Sequence, residues 1–200
     1  MKKDSTKLEN ILAALGVVQP RVDLGEALIS TLGGLLSLLS VVFVSRHFVG
    51  DAGPGMLVAS MGASAVLLFA LPHGHLSQPW AVVGGHVVSA IVGVAVARMI
   101  SDPIVAGAVA VGVAIGLMQV LRCVHPPGGA TALSAVVGGP AVHALGMRFA
   151  LTPVLLNALL IVGVAVTWNG LFAKRRYPAF FALKEDIPLD ESIDELREQL

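Results

Sequence analysis

Between residues 57 and 172 the only formal charges are Arg98, Asp102, Arg122 and Arg148, and this constrains the fold more than any motif does. With 56% hydrophobic and 13% charged residues, the chain lies far from the composition of a soluble domain. It reads as a multi-spanning integral membrane protein. The formal net charge is zero, so nothing suggests a nucleic-acid partner. Cys123 is the single cysteine, which excludes an intramolecular disulfide or a thiolate metal cluster within one chain.

Six apolar segments fall at about 24–48, 55–71, 79–100, 103–124, 127–138 and 147–173. A bilayer core of ~30 Å takes about 20 helical residues, so the first, third, fourth and sixth can cross alone. The second and fifth are short, and either cross as broken segments or enter and return on one side. The expected fold is an all-α bundle of four long transmembrane helices and two short or broken membrane segments.

Internal similarity orders these segments. The hexapeptide Ile-Val-Gly-Val-Ala-Val occurs at 91–96 and again at 161–166, each time in the long segment after a short one. Gly62-Ala63-Ser64 matches Gly129-Ala130-Thr131, and Arg46 and Arg122 each precede a short segment. The order long, short, long therefore repeats, over about 24–100 and 103–173. With three crossings per repeat, the second copy is inverted and the short segments face one another near the midplane.

Residues 1–23 form a cytoplasmic or interfacial lead-in; their apolar run is too short for a signal peptide and no small-residue cleavage site follows it. Residues 174–200 form a charged tail in which Ile193, Leu196 and Leu200 share one face of a short amphipathic helix. Lysines and arginines flank both ends of the apolar region, which places both termini in the cytoplasm. The expected location is the plasma membrane, the inner membrane of a bacterium.

Within this frame, His125-Pro126-Pro127-Gly128-Gly129-Ala130-Thr131 breaks a helix inside lipid-soluble sequence. Such a break is tolerated where it lines a cavity or is buried in protein. Proline suits the first helical position, so one helix is expected to stop near Val124 and another to start around Pro127. The amides of Gly128, Gly129, Ala130 and Thr131 would then be free donors at a positive helix end, an anion-binding geometry. Arg122 would attract the ion, and His125 would donate a hydrogen bond or act as a proton-linked gate. Gly62 and Ser64 would form the opposing half of the path. A tight turn between packed helices remains the structural alternative.

His73, His75, His86 and His143 do not have convincing metal-ligand spacing, and no acidic or cysteine partner lies nearby. His86 and Asn157, both within apolar helices, should face protein or the pathway. No carboxylate pair or serine–histidine–acid arrangement points to catalysis. The chain is therefore read as a non-enzyme without cofactor or metal.

The extended His125-Pro126-Pro127 motif, with Pro54-Gly55 and Gly62-Ala63-Ser64, resembles the HPP family of integral membrane proteins over about residues 24–173. That resemblance implies a small membrane domain with at least four spans. Members in chloroplast envelopes and cyanobacteria are associated with nitrite transport, while many bacterial members have no assigned substrate. Some relatives carry a soluble regulatory domain after the membrane part, and none is expected here.

The leading expectation is a channel or secondary transporter for a small inorganic anion, with nitrite the best single guess. The path would use Arg122, His125, Pro126, Pro127, Gly128, Gly129 and Thr131, opposed by Gly62 and Ser64. Alternatives are a transporter of a neutral or cationic small solute, and a non-transporting scaffold or sensor acting through its tail. The expected partners are membrane lipid, the transported anion and further copies of the chain in a homo-oligomer.

Overall fold

The computed structural model describes residues 15, 22–49 and 55–181; the amphipathic tail, Pro54 and most of the N-terminal lead-in lie outside them. The helices are α1 (Leu24–Val49), α2 (Gly55–Ala70), α3 (Pro79–Met99), α4 (Pro103–Val120), α5 (Pro127–Val137), α6 (Gly139–Leu145) and α7 (Leu156–Gly170). Among the described residues there is no strand. Four stretches are long and apolar enough to cross a bilayer: Leu24–Phe48, Pro79–Met99, Pro103–Val120 and Ala150–Gly170.

Local chemistry sets several boundaries. Asp23 accepts from the Glu26 amide at 2.9 Å before α1, and Asp102 caps α4 by accepting from Ile104 and Val105. Prolines at 79, 103 and 127 occupy first-turn positions, where a missing N–H costs nothing.

Two boundaries differ from the sequence expectation. Helix α4 ends at Val120 rather than near Val124, because Arg122 adopts φ 54°. The Cys123 amide then reaches the Met118 carbonyl at 2.9 Å and the Arg122 amide reaches that of Gln119 at 3.1 Å, a Schellman stop that needs a left-handed residue. The last apolar segment is not one unbroken helix: Thr152 is extended (φ −132°, ψ 115°) before Pro153. Proline pushes its predecessor out of the helical region and removes a donor, so the regular helix resumes at Leu156.

The contacts carry both short segments through the bundle. Glu26 at the start of α1, Phe69 at the end of α2 and Arg175 beyond α7 meet at one face. Gly84 and Gly85 lie against Cys123 and His125, whereas Gly93, further along α3, lies against Ala132 and Ala135, so α5 runs parallel to α3. The described residues thus traverse the bundle six times, with α5 followed by the short α6 at the opposite face. Helix α1 packs on α2 and α7, as α4 packs on α5 and α3. The third helices of the two triplets, α3 and α7, carry the repeated hexapeptide.

Two apolar cores result. Val41, Leu57, Met61, Leu68, Val154 and Ile161 belong to the one centred on α1, α2, α7 and the segment before α7, which Val82, Ala90 and Val94 of α3 join. Ala106, Ala110, Ala114, Met118, Val92 and Ala132 belong to the one among α3, α4 and α5. Small residues permit the second: a Cβ on Gly93 would stand 2.5 Å from the Ala132 carbonyl oxygen and 2.7 Å from the Ala135 Cβ. Along α1, by contrast, Leu28, Leu32, Leu35, Leu39 and Phe43 are exposed, as suits a lipid-facing surface.

Residues 173–181 close the face where α2 ends. Arg175, expected as a flanking surface charge, is 4% exposed. Its guanidinium pairs with Glu26 and donates to Ser30, the Phe69 carbonyl and Asn169 Oδ1. Asn169 in turn donates to the Leu68 carbonyl at 3.1 Å, so orphan carbonyls at the end of α2 are satisfied by side chains. Tyr177 donates to the Ser77 carbonyl at 2.7 Å, and the Ala179 amide donates to Gln78 Oε1 at 3.0 Å. Burial pushes the Tyr177 phenol well above its ordinary value.

Candidate functional site

Between the two cores, where α2, α3 and the start of α5 meet, five polar side chains are completely buried: Ser60, Ser64, His86, His125 and Thr131. Each has an assignable origin. Ser60 and Ser64 are four residues apart on α2 and so share a face. His86 follows Gly84-Gly85, whose missing side chains let the segment after α4 come close. A Cβ on Gly85 would lie 2.6 Å from the His125 Cβ, and one on Gly84 would lie 2.9 Å from the Cys123 Cβ. His125 precedes the two prolines that restart the helix, and Thr131 is one turn into α5.

The side chains form one continuous hydrogen-bonded chain. His125 Nδ1 lies 2.8 Å from the Leu76 carbonyl. Ser64 Oγ lies 2.8 Å from both His125 Nε2 and His86 Nε2. His86 Nδ1 is 2.7 Å from Thr131 Oγ1, and that oxygen is 2.6 Å from Ser60 Oγ. Ser60 Oγ also lies 2.8 Å from the Pro127 carbonyl oxygen. The two imidazoles stand edge to face with centroids 4.9 Å apart.

The Leu76 carbonyl fixes where the protons sit. It can only accept, so His125 Nδ1 carries hydrogen and, in neutral His125, Nε2 accepts. Ser64 must then donate to His125 and accept from His86 Nε2–H. That makes His86 Nδ1 an acceptor, which Thr131 satisfies by donating. Every bond from Thr131 to Leu76 therefore points the same way, and the single Ser60 hydrogen serves either Thr131 or the Pro127 carbonyl.

The expected site residues separate into two groups. Ser64, His125 and Thr131 are within the chain, while Pro127 contributes its carbonyl. Gly128 and Gly129 do not present free amides: these donate to the carbonyls of His125 and Pro126 at 2.8 and 3.0 Å. Gly128 serves packing, since a Cβ there would meet Ser89 Oγ at 2.8 Å and the Gly85 carbonyl oxygen at 2.9 Å. Arg122 and Pro126 are exposed and Arg122 takes no part in the cluster. Gly62 lies away from it, in a groove of about 350 Å³ lined also by Ser30, Gly34 and Phe69.

Two participants were not among the expected site residues. Ser60 is signalled by its i, i+4 relation to Ser64, and His86 by the Gly-Gly pair before it. The Leu76 carbonyl has no sequence signal, because it depends on the turn after α2 folding under His125. Asn157 is buried against α1, where it donates to Ser45 at 2.8 Å, and its Oδ1 is the one unpartnered buried side-chain atom among the described residues. His73 donates to the Arg176 carbonyl and His143 to that of Val136.

Comparison with known proteins places this architecture. The chain is similar to two transmembrane proteins of Dictyostelium discoideum. One is 36% identical over 166 residues, covering 81% of this chain and 58% of the relative. The other is 35% identical over 165 residues, covering 80% of this chain and 53% of the relative. This chain thus spans little more than half the length of these curated relatives. No solved structure matches. The model of the HPP transmembrane region matches residues 19–178, which includes the seven helices named above and the buried cluster, and the chain belongs to the HPP transmembrane family.

Proposed function

We propose that this protein carries a small inorganic anion across the membrane together with a proton, through the junction of α2, α3 and α5. The single observation that carries the reading is the buried, continuous hydrogen-bonded chain of two histidines and three hydroxyls at the junction of three helices. Polar groups at such depth are costly and mark transport routes and proton relays in membrane proteins.

The cluster contains no fixed cation, so an anion reaching it needs its charge balanced by a proton on an imidazole. The geometry has room for that proton. A hydrogen added at His125 Nε2 would donate to Ser64, whose own hydroxyl hydrogen can rotate to the Ser60 carbonyl, 3.2 Å away. Coupled proton and anion movement follows from this exchange. Nitrite is the first substrate to test, on the family resemblance; its conjugate acid is neutral.

The same uncharged, hydrogen-bonding lining favours a second reading, passage of a neutral small solute. Flux into proteoliposomes separates them. Proton-linked anion uptake should rise with an inward proton gradient across nitrite, formate, nitrate and chloride trials for at least one ion. If only ammonia moves, and no anion exceeds the empty-liposome rate, the anion reading fails.

A further inference from the structure

His86, Ala90, Val94 and Arg98 are spaced by four residues along α3 and so form one stripe, with Ala90 and Val94 buried. At 1.5 Å per residue, Arg98 stands roughly 18 Å beyond His86 along the axis. On the facing helix, Thr131 and Ala135 are likewise one turn apart. The buried cluster and Arg98 therefore lie at two levels of the same α3–α5 seam.

At the Arg98 level the seam opens into a cavity of about 190 Å³, lined by Val94, Arg98, Ala135, Val142, His143 and Gly146. Arg98, exposed in the last turn of α3, turns over Gly146: a Cβ on that residue would stand 2.5 Å from Arg98 Nη2. Gly146 has φ 51°, so glycine suits the position on conformational grounds as well. The nearest carboxylate in sequence, Asp102, is occupied in capping α4. The His143 ring is held as a wall by its Nε2–H bond to the Val136 carbonyl, 2.9 Å away.

We infer that this cavity is a binding site for a small oxyanion or carboxylate, with the Arg98 guanidinium as its cation. The binding does not rest on the function proposed above. A planar guanidinium offers paired donors that match two oxygens of such an ion. The remaining wall is apolar, and the volume suits an ion with a few waters at roughly 30 Å³ each.

Saturation-transfer NMR with formate as the probe tests this on the full chain in zwitterionic nanodiscs. The expected result is a formate signal that nitrite competes away, that falls at least fivefold in Arg98→Gln, and that persists in part in Arg98→Lys. Gly146→Ala should weaken it independently by displacing the guanidinium. Ser64→Ala should abolish coupled flux yet leave the formate signal intact, so failure of the transport reading is distinguishable from failure of this site. An unchanged signal in monodisperse Arg98→Gln, or none in the wild type, overturns the inference. Loss of the signal when phosphatidylglycerol replaces the zwitterionic lipid would assign the cavity to a headgroup phosphate and overturns it too.

Discussion

Replacing Ser64 with alanine removes one oxygen on which both imidazoles depend. The buried Nε2 atoms of His86 and His125 each lose a partner at 2.8 Å, and no other side-chain hydroxyl contacts either nitrogen. In soluble proteins an orphaned buried polar group costs about 1–3 kcal/mol. Interhelical hydrogen bonds in membrane proteins are worth about 0.6 kcal/mol on average. Two such losses give a destabilisation between about 1 and 6 kcal/mol, measurable as a lower unfolding midpoint in detergent. The functional effect should be larger, because the proton route between the histidines is cut: anion-driven lumenal acidification in proteoliposomes should fall by at least ~10-fold. Ser134→Ala is the matched control. That hydroxyl is buried too but bonds the Ala130 carbonyl of its own helix, so flux should be unchanged. A Ser64→Ala protein that transports at the wild-type rate with the same pH dependence would refute the relay.

Three further outcomes follow from the packing and the caps. Gly85→Ala should destabilise by about 1–3 kcal/mol through overpacking against His125, whereas Gly62→Ala, whose Cβ meets nothing within 4 Å, should be neutral; thermal unfolding of both in detergent compares them. Arg122→Gly should raise stability by about 1 kcal/mol by relieving the left-handed arginine and leave anion flux unchanged, the opposite of what an ion-attracting Arg122 would give. Because burial raises the Tyr177 phenol in the folded state, its stabilisation is complete below the ordinary tyrosine value and declines as pH rises above about 10. Tyr177→Phe should cost about 1 kcal/mol at neutral pH by losing the Ser77 bond and should flatten that alkaline decline, read by denaturant titration across pH.

Much of the fold was legible because lipid makes the pattern strict: apolar run length and the prolines at 79, 103 and 127 located the helices. The ends were less legible. Arg122 in a left-handed stop is the opposite of the residue type a Schellman motif normally selects, and Pro153 was hidden within an otherwise continuous apolar run. The His-Pro-Pro break drew attention to His125, which lies buried in the polar cluster. The amides of Gly128 and Gly129, expected as free donors, are taken up by local turns. Arg122 is exposed outside the polar cluster, whereas Arg175, one of the charges flanking the apolar region, is buried. Ser60, His86 and the Leu76 carbonyl meet only after α2, α3 and the turn between them fold, a tertiary relation with little trace in local sequence.

The central claim is that an anion and a proton cross together through the buried histidine–serine chain. It is tested most directly by lumenal pH and anion uptake recorded simultaneously in proteoliposomes, with the membrane potential clamped and nitrite as the first ion. Empty liposomes and liposomes bearing Ser64→Ala provide the background of unassisted nitrous acid permeation. The account predicts acidification in step with uptake, one proton per anion, above both backgrounds. Protein-dependent anion uptake that carries current and leaves lumenal pH unchanged would contradict it.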